Sequence, residues 1–411
     1  MSLTMHIYNN ENSEGFDVSE IVHSIEYTTS ILGQAGKLTF TLEKDPNNIL
    51  KIGVGSLVKF WHSDSNTEEE KPIFMGNIFT IGTTEKNDYR VVAYDQLRYL
   101  QNHNNLVIPD YEDELVYYFT LICEQEGLKP EQWKVGNWVK YIGTHTPIAG
   151  NNFVDCSNFD ILQYCMNEYS LHCNLRIKTE NITPEFMASG GKILRKDLYV
   201  PKFYLKDNFG VLELREVLTD FIYDDYGNEK KEFLVIGDES LLTSYNYEVD
   251  IDKDTSNEFF FMYNQKKDGA NESTETNKLV NEKSLLVSFQ AGVPIKGTNT
   301  KLDGQTIGND TIPKWGRLRR FVTLNTSKIN SEVKLYMEQL VSIYNQPTRK
   351  MKINAIGLDG VDAGSSFVLK LDKLGINYST YVISATHRYD ADHHTMELDV
   401  NSNPASVGGL E

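Results

Sequence analysis

A chain of 411 residues exceeds what one compact core usually organises, so several domains are expected and a single small module is excluded. Hydrophobic residues at 40%, charged residues at 24% and aromatic residues at 11%, with 23 Tyr, form a globular balance that excludes general disorder. The 58 Asp and Glu against 40 Lys and Arg give a formal charge of −18, the wrong sign for holding phosphates by counterion release, so specific nucleic-acid binding is not expected.

No stretch reaches the ~18 consecutive apolar residues of a spanning helix, so membrane insertion is not expected either. Met1 to Asn10 lacks the basic start and apolar run of a secretory signal, which predicts synthesis in the cytoplasm. Cys123, Cys156, Cys165 and Cys173 form no CxxC pair and lie in apolar patterns, as reduced core thiols do.

From Ile21 to Tyr94 short alternating strands are separated by turn residues. Leu38, Phe40 and Leu42 alternate with Lys37, Thr39 and Thr41, and Leu57–Trp61, Ile73–Ile81 and Tyr89–Tyr94 follow, punctuated by Gly36, Gly53, Gly55, Gly76 and Gly82. A small barrel is the predicted product, closed by one helical turn at Asp95–Leu100. Helices are predicted over Asp113–Glu126, with Ile122 and Cys123 on its apolar face, and over Phe159–Tyr169, with Ser157 and Asp160 as a capping box. Leu171 to Ile177 reads as a half-buried strand and Lys178 to Lys196 as an exposed loop. A hairpin is predicted around Asp207–Gly210, a strand at Ser244–Asp250 and a polar surface loop at 264–284. The longest helix is predicted over Ser327–Tyr344, ended by Pro347. Strands at Met351–Ile356, Phe367–Leu371, Tyr381–Ala385 and Thr395–Val400 complete the chain.

The last β segment echoes the first. Gly55-Ser56-Leu57-Val58 opens a strand in one and Gly364-Ser365-Ser366-Phe367-Val368 in the other, and each leads through an Ile-containing strand (Ile78, Ile383) to a closing strand. Short β patterns resemble one another readily, so the echo alone does not establish a duplication. If it is real, three copies of the chain would set six similar barrels around one axis.

Motifs for chemistry are weak. Cys156, Cys165, Cys173 and His172 fit no zinc-ligand spacing. His387, His393 and His394 with Asp390 and Asp392 form the densest His/Asp cluster, and on a hairpin His387 and one of the later pair would face each other across strands. Asp390 to His394 nevertheless reads better as a solvated turn. Gly53-Val54-Gly55 leads into a strand and lacks the third glycine of a dinucleotide loop. Asp224 with Asp225, and Glu68 to Glu70, lack the apolar surroundings that would raise a carboxyl pKa. No catalytic, cofactor-binding or metal-ligating residue is assigned, and no cofactor or enzymatic activity is expected. Trp133, Trp138 and Tyr141 would be the aromatics of a carbohydrate-binding alternative.

Several blocks resemble one family in order. Gly36-Lys37-Leu38-Thr39-Phe40-Thr41-Leu42, Gly55-Ser56-Leu57-Val58-Lys59-Phe60, Ile73-Phe74-Met75-Gly76-Asn77-Ile78 and Val92-Ala93-Tyr94-Asp95-Gln96-Leu97-Arg98-Tyr99-Leu100 are similar to the first barrel and closing turn of the baseplate hub proteins of contractile phage tails and phage-tail-like bacteriocins, of the PBSX type. Ile312-Pro313-Lys314-Trp315-Gly316-Arg317-Leu318 resembles the segment before their long helix, and Tyr381 to Tyr389 their final barrel. The resemblance implies a prophage or virion structural protein of a contractile injection system, made in the bacterial cytoplasm and assembled into the tail baseplate. It implies a homotrimer that joins the hexameric tail tube to the trimeric central spike, with tube, spike, tape-measure and other baseplate proteins as partners. The expected fold is α+β and β-rich, with an N-terminal β-barrel (1–100), an α+β middle region (101–220), a β-rich region with the polar loop (221–325) and a long helix plus C-terminal β-barrel (326–411). A tail-associated cell-wall hydrolase or a carbohydrate-binding protein is the alternative. With Glu411 shortly after the last predicted strand, no appended lysin module is expected.

Overall fold

A computed structural model describes residues 2–9, 15–31, 34–43, 51–63, 72–83, 85, 88–107, 115–126, 128–132, 153–162, 199–206, 209–216, 233–253, 255–265, 283–290, 293–294, 311–324, 344–390 and 393–401. The first segment comprises β1 (Ser2–Tyr8), β2 (Phe16–Asp17), β3 (Val22–Ser30), β4 (Gln34–Leu42), β5 (Leu57–Ser63), β6 (Phe74–Thr83), β7 (Tyr89–Tyr94) and the short helix α1 (Leu97–Leu100). The middle carries β8 (His103–Val107), α2 (Leu115–Gln125), β9 (Lys129–Gln132), β10 (Phe153–Ser157), β11 (Tyr199–Lys206) and β12 (Phe209–Glu216). Then come β13 (Val235–Gly237), β14 (Leu242–Asp250), β15 (Glu258–Gln265), β16 (Lys283–Gln290), β17 (Val293–Pro294), α3 (Ile312–Trp315) and β18 (Arg319–Leu324). The last segment is β19 (Thr348–Ile356), β20 (Ser366–Leu371), β21 (Ile376–Tyr389) and β22 (His394–Asn401).

Period-two alternation decides which face each strand buries. In β4, Leu38, Phe40 and Leu42 are buried and Lys37, Thr39 and Thr41 are half-buried. In β22, Met396, Leu398 and Val400 are buried while Thr395 is exposed. Two apolar clusters result. One gathers Met5, Ile7, Phe40, Phe60, Phe74, Ile78 and Val91, and the other gathers Met351, Ile353, Phe367, Leu369, Val382, Met396 and Leu398.

The two halves are built alike. Neighbour order β5-β6-β7-β4-β3 matches β20-β21-β22-β19-β14, every pair antiparallel. Gly55 and Gly364 take φ of +86° and +89°, a conformation that an L side chain disfavours. The Gly55 N–H donates to the Ile78 carbonyl at 2.7 Å and the Ile78 N–H to the Ser56 carbonyl at 2.9 Å; Gly364, Val382 and Ser365 repeat the arrangement at 2.8 and 2.9 Å. A bulge then follows in both halves, between Ile78 and Thr80 and between Val382 and Ser384. The echo in sequence is therefore matched in backbone geometry.

The fold is β-rich α+β, as expected. The halves share one sheet: β21 pairs with β3, which makes a 13-stranded sheet ordered β14-β19-β22-β21-β3-β4-β7-β6-β5-β1-β2, with β20 branching from β21 and β13 from β20. No pairing among the described residues closes either half into a ring. Several elements depart from the sequence reading, β1 and β21 among them. β1 pairs with β5 over its whole length and buries Met5 and Ile7 completely, although the β pattern was read as opening only at Ile21. β21 is 14 residues long rather than a short strand at Tyr381–Ala385, because its first part pairs with β20 and its last part with β3.

Smaller sheets are β8 with β10, β9-β12-β11, and β17-β16-β15-β18. The β11–β12 hairpin and the β14 strand fall where the sequence placed them. Helix α2 buries Ile122 and Cys123. Residues 158–162 are helical behind the expected capping box, in which the Asp160 N–H donates to Ser157 Oγ and the Ser157 N–H to Asp160 Oδ2, both at 3.0 Å. The strand at 171–177, the loop at 178–196, residues 266–282 and residues 327–343 of the long helix lie outside the described residues, as do Trp133, Trp138, Tyr141, Cys165, His172, Cys173, Asp224, Asp225 and Glu68 to Glu70.

Candidate functional site

The seam between the halves is a strand pair. Ser384 to Tyr389 of β21 run antiparallel to Ile25 to Ser30 of β3, with Thr386 opposite Thr28 and His387 opposite Tyr27. Side chains reinforce the ladder. Thr28 Oγ1 and Thr386 Oγ1 lie 3.3 Å apart, and Arg388 donates to Glu26 Oε2 and Glu397 Oε2, both at 3.2 Å. Tyr389 belongs to the C-terminal strand but packs in the N-terminal cluster, its ring edge-on to Phe60 at 5.0 Å between centroids.

Beneath this ladder sits a polar cluster drawn from both halves. His62 of β5 places Nδ1 2.7 Å from Asp359 Oδ2, and His394 of β22 places Nδ1 3.5 Å from Asp359 Oδ1. Tyr389 donates its hydroxyl to Asp359 Oδ1 at 3.1 Å. His387 Nδ1 lies 2.9 Å from His394 Nε2, and His387 Nε2 lies 3.0 Å from the Val361 carbonyl. Gly357 presses on the His394 ring: a Cβ there would fall 2.1 Å from Cγ of the imidazole, so the turn admits only glycine. Burial holds the His394 imidazole below its ordinary pKa; the Asp359 charge opposes that, and His387 and His62 add to it. Burial, then Asp359, pushes the Tyr389 hydroxyl far up, so it stays a donor.

The sequence reading had His387 facing one of the later histidines, and the structure brings His387 to His394. The solvated turn holds for Asp390 and His393, which are exposed and joined by an Asp390 N–H to His393 carbonyl bond of 2.8 Å. It fails for His394, 6% exposed, because the residue shares a strand face with Met396 and Leu398. His62 and Asp359 were not singled out. Their signal is long-range, since His62 lies 297 residues from its partner. Cys123 is a buried free thiol, as expected, and burial pushes its pKa up to about 12. Gly53-Val54-Gly55 forms an exposed turn feeding β5, with Val54 68% exposed.

The second feature is the unused counterpart of the seam. β14 stands where β3 stands in the other half, yet among the described residues it ends the sheet and leaves Val249 50% exposed. β6 stands where β21 stands, and Thr80 to Thr83 run beyond its pairing with β5 without a strand on that side among the described residues. Among the described residues the chain thus carries one satisfied seam and one open copy of each of its edges. No helix among the described residues is long and apolar enough to cross a membrane.

The chain shares its fold with phage tail proteins. The prophage MuSo2 43 kDa tail protein from Shewanella oneidensis superposes with a TM-score of 0.58 at 8% identity, covering 99% of this chain and 100% of that one. A tail protein from Neisseria meningitidis MC58 gives 0.56 at 11% identity, covering 99% of each chain. The prophage tail protein gp18 from Listeria monocytogenes EGD-e gives 0.53 at 10%, covering 98% of this chain and 97% of that one. No curated protein matches by sequence. The resemblance to phage tail proteins drawn from the motifs is thereby borne out. The YQBQ-like family profile matches residues 25–285 and 299–401, and the chain belongs to that family.

Proposed function

We infer that the chain is a structural subunit of a phage-type tail baseplate: a hub that closes into a homotrimeric ring and joins the hexameric tail tube to the trimeric central spike, without catalysis. The observation that carries this is the duplicated half. A head-to-tail contact that leaves complementary edges open at both ends of a subunit either extends into a filament or closes into a ring. Three chains of two similar halves give six quasi-equivalent positions, which suits a partner of sixfold symmetry on one face and of threefold symmetry on the other.

The intrachain seam supplies the register of the contact between copies. The bulges make Thr80 equivalent to Ser384, and the β4 and β19 pairings make Tyr27 equivalent to Tyr247. Carrying the β21–β3 pairing across, Thr80, Ile81, Gly82 and Thr83 of one copy lie opposite Asp250, Val249, Glu248 and Tyr247 of the next. The exposed Val249 is then covered. Tube protein, spike protein, tape-measure protein and other baseplate proteins are the partners this role assigns, in a particle assembled in the bacterial cytoplasm.

Mass photometry over a range of concentrations, with averaged electron-microscope projections, tests the reading. A species of about 141 kDa, three times the 47.0 kDa chain, with threefold projections is expected, favoured by high concentration or by tube and spike surfaces that bind the ring. A strict monomer both at high concentration and within the assembled tail refutes it.

A further inference from the structure

We propose that His62, His394 and Asp359 form a binding site for a divalent first-row transition ion, best suited to Zn²⁺, which staples the two halves of the sheet together at their seam. The site stands whether or not the chain assembles into a ring.

The hydrogen bonds bear on which ring nitrogen is left to bind an ion. The Val361 carbonyl can only accept, so His387 Nε2, 3.0 Å away, carries a proton and donates it. In the tautomer with its proton on Nε2, His387 accepts through Nδ1, and His394 Nε2 donates across their 2.9 Å contact. That leaves a lone pair on His394 Nδ1, which lies 3.5 Å from Asp359 Oδ1. In that tautomer the His394 nitrogen and the Asp359 oxygens are all electron-pair donors, as the ligands of a cation are.

The donor set fits the ion. Two imidazole nitrogens and a carboxylate are ligands of borderline softness that Zn²⁺ takes readily, and the three ligand atoms lie within 4.8 Å of one another. A tetrahedral ion with bonds of about 2.0–2.2 Å sets its ligand atoms about 3.4 Å apart, so His62 and Asp359 open slightly and the rest draws in. Ligation through His62 Nδ1 uses the tautomer of that ring that carries its proton on Nε2. His387 orients His394, Tyr389 orients Asp359 and Gly357 holds the His394 ring from the side, so the outer hydrogen bonds of a metal site are present already. Asp359, on an exposed loop, leaves the fourth position open to water. His62 comes from the first half, Asp359 and His394 from the second, and this division makes the ion a cross-link.

Tag-free protein stripped with chelator tests this. After addition of Zn²⁺ and desalting, elemental analysis should find about one zinc per chain, and Co²⁺ should give the visible absorption of a tetrahedral N/O site. Zn²⁺ should raise the thermal midpoint of the wild type. D359N, in the exposed loop, and H62Q should each weaken binding by ~10-fold or more, while H393A, an exposed neighbour outside the site, should leave it unchanged. Sub-stoichiometric zinc with no cobalt spectrum in the wild type overturns the proposal, as does unaltered binding in D359N. Should H62Q fail to fold, the wild-type spectrum and D359N decide.

Discussion

Replacing Asp95 by Asn tests how the closing turn of the first half is held. Asp95 Oδ2 accepts the Gly36 N–H at 2.8 Å and Oδ1 accepts the Leu97 N–H at 2.9 Å, so one carboxylate ties β4 to the start of α1. The residue is 8% exposed, and a Cβ on Gly36 would fall 2.5 Å from Oδ2. Burial pushes the carboxyl from 3.8 up to about 7; the two amide bonds oppose the rise, and the Asp362 charge adds to it. Between those pH values the folded chain therefore holds a proton that the unfolded chain has lost. The associated stability is full below the unfolded value and is lost as pH rises through the folded one, about 4 kcal/mol in all. D95N has no such proton. Its amide oxygen keeps one bond and its NH₂ meets a donor, a pH-independent cost of about 1–3 kcal/mol. Urea unfolding at a series of values from about pH 4 to about pH 8 should show D95N clearly less stable at the acid end, with the gap closing or reversing at the alkaline end. The difference between the two chains removes the opposite trend of carboxylates such as Glu397, held low by Lys352. A gap that stays constant, or widens with pH, refutes the reasoning.

Gly76→Ala places a Cβ 2.1 Å from the Tyr94 carbonyl oxygen and 2.6 Å from Phe74 Cζ, and should destabilise the chain by about 1–3 kcal/mol in the same assay; a neutral result would mean the β6–β7 approach is looser than described. Tyr389→Ala empties a site 2% exposed that the first cluster shares with the last strand, at a cost of about 3–5 kcal/mol, and hydrogen exchange should rise at both β3 and β21; a rise confined to one half would show that the seam does not couple them. Val249→Lys puts a charge on the free edge and should abolish ring formation while leaving unfolding within about 0.5 kcal/mol of wild type, and rings of normal stability would exclude that edge from the contact.

How much was legible in the sequence follows the range of the interactions. Alternation in Lys37–Leu42 and Thr395–Val400, the glycines before β5 and β20, the apolar stripe of α2 and the Ser157–Asp160 capping box are all settled within a few residues. The echo of Gly55-Ser56 in Gly364-Ser365 was visible for the same reason, because a positive φ at the head of a strand restricts the residue type locally. β1 was missed because Met5 and Ile7 are too brief an alternation to read, and its strand state depends on β5 as a partner.

Tertiary structure alone decided the rest. That two halves share one sheet depends on β21 outrunning β20 and meeting β3, a register between residues more than 350 positions apart. The polar cluster has the same origin. His394 read as part of a solvated turn until the face it shares with Met396 buried it, and His62 and Asp359 acquired meaning only when the seam set them 2.7 Å apart. Sequence determines the strand, its turn and the side it hides, since these are properties of neighbouring residues. Which edges meet, and which polar groups are sealed in as they meet, is set by the free energy of pairing distant strands, which leaves no local mark on the chain.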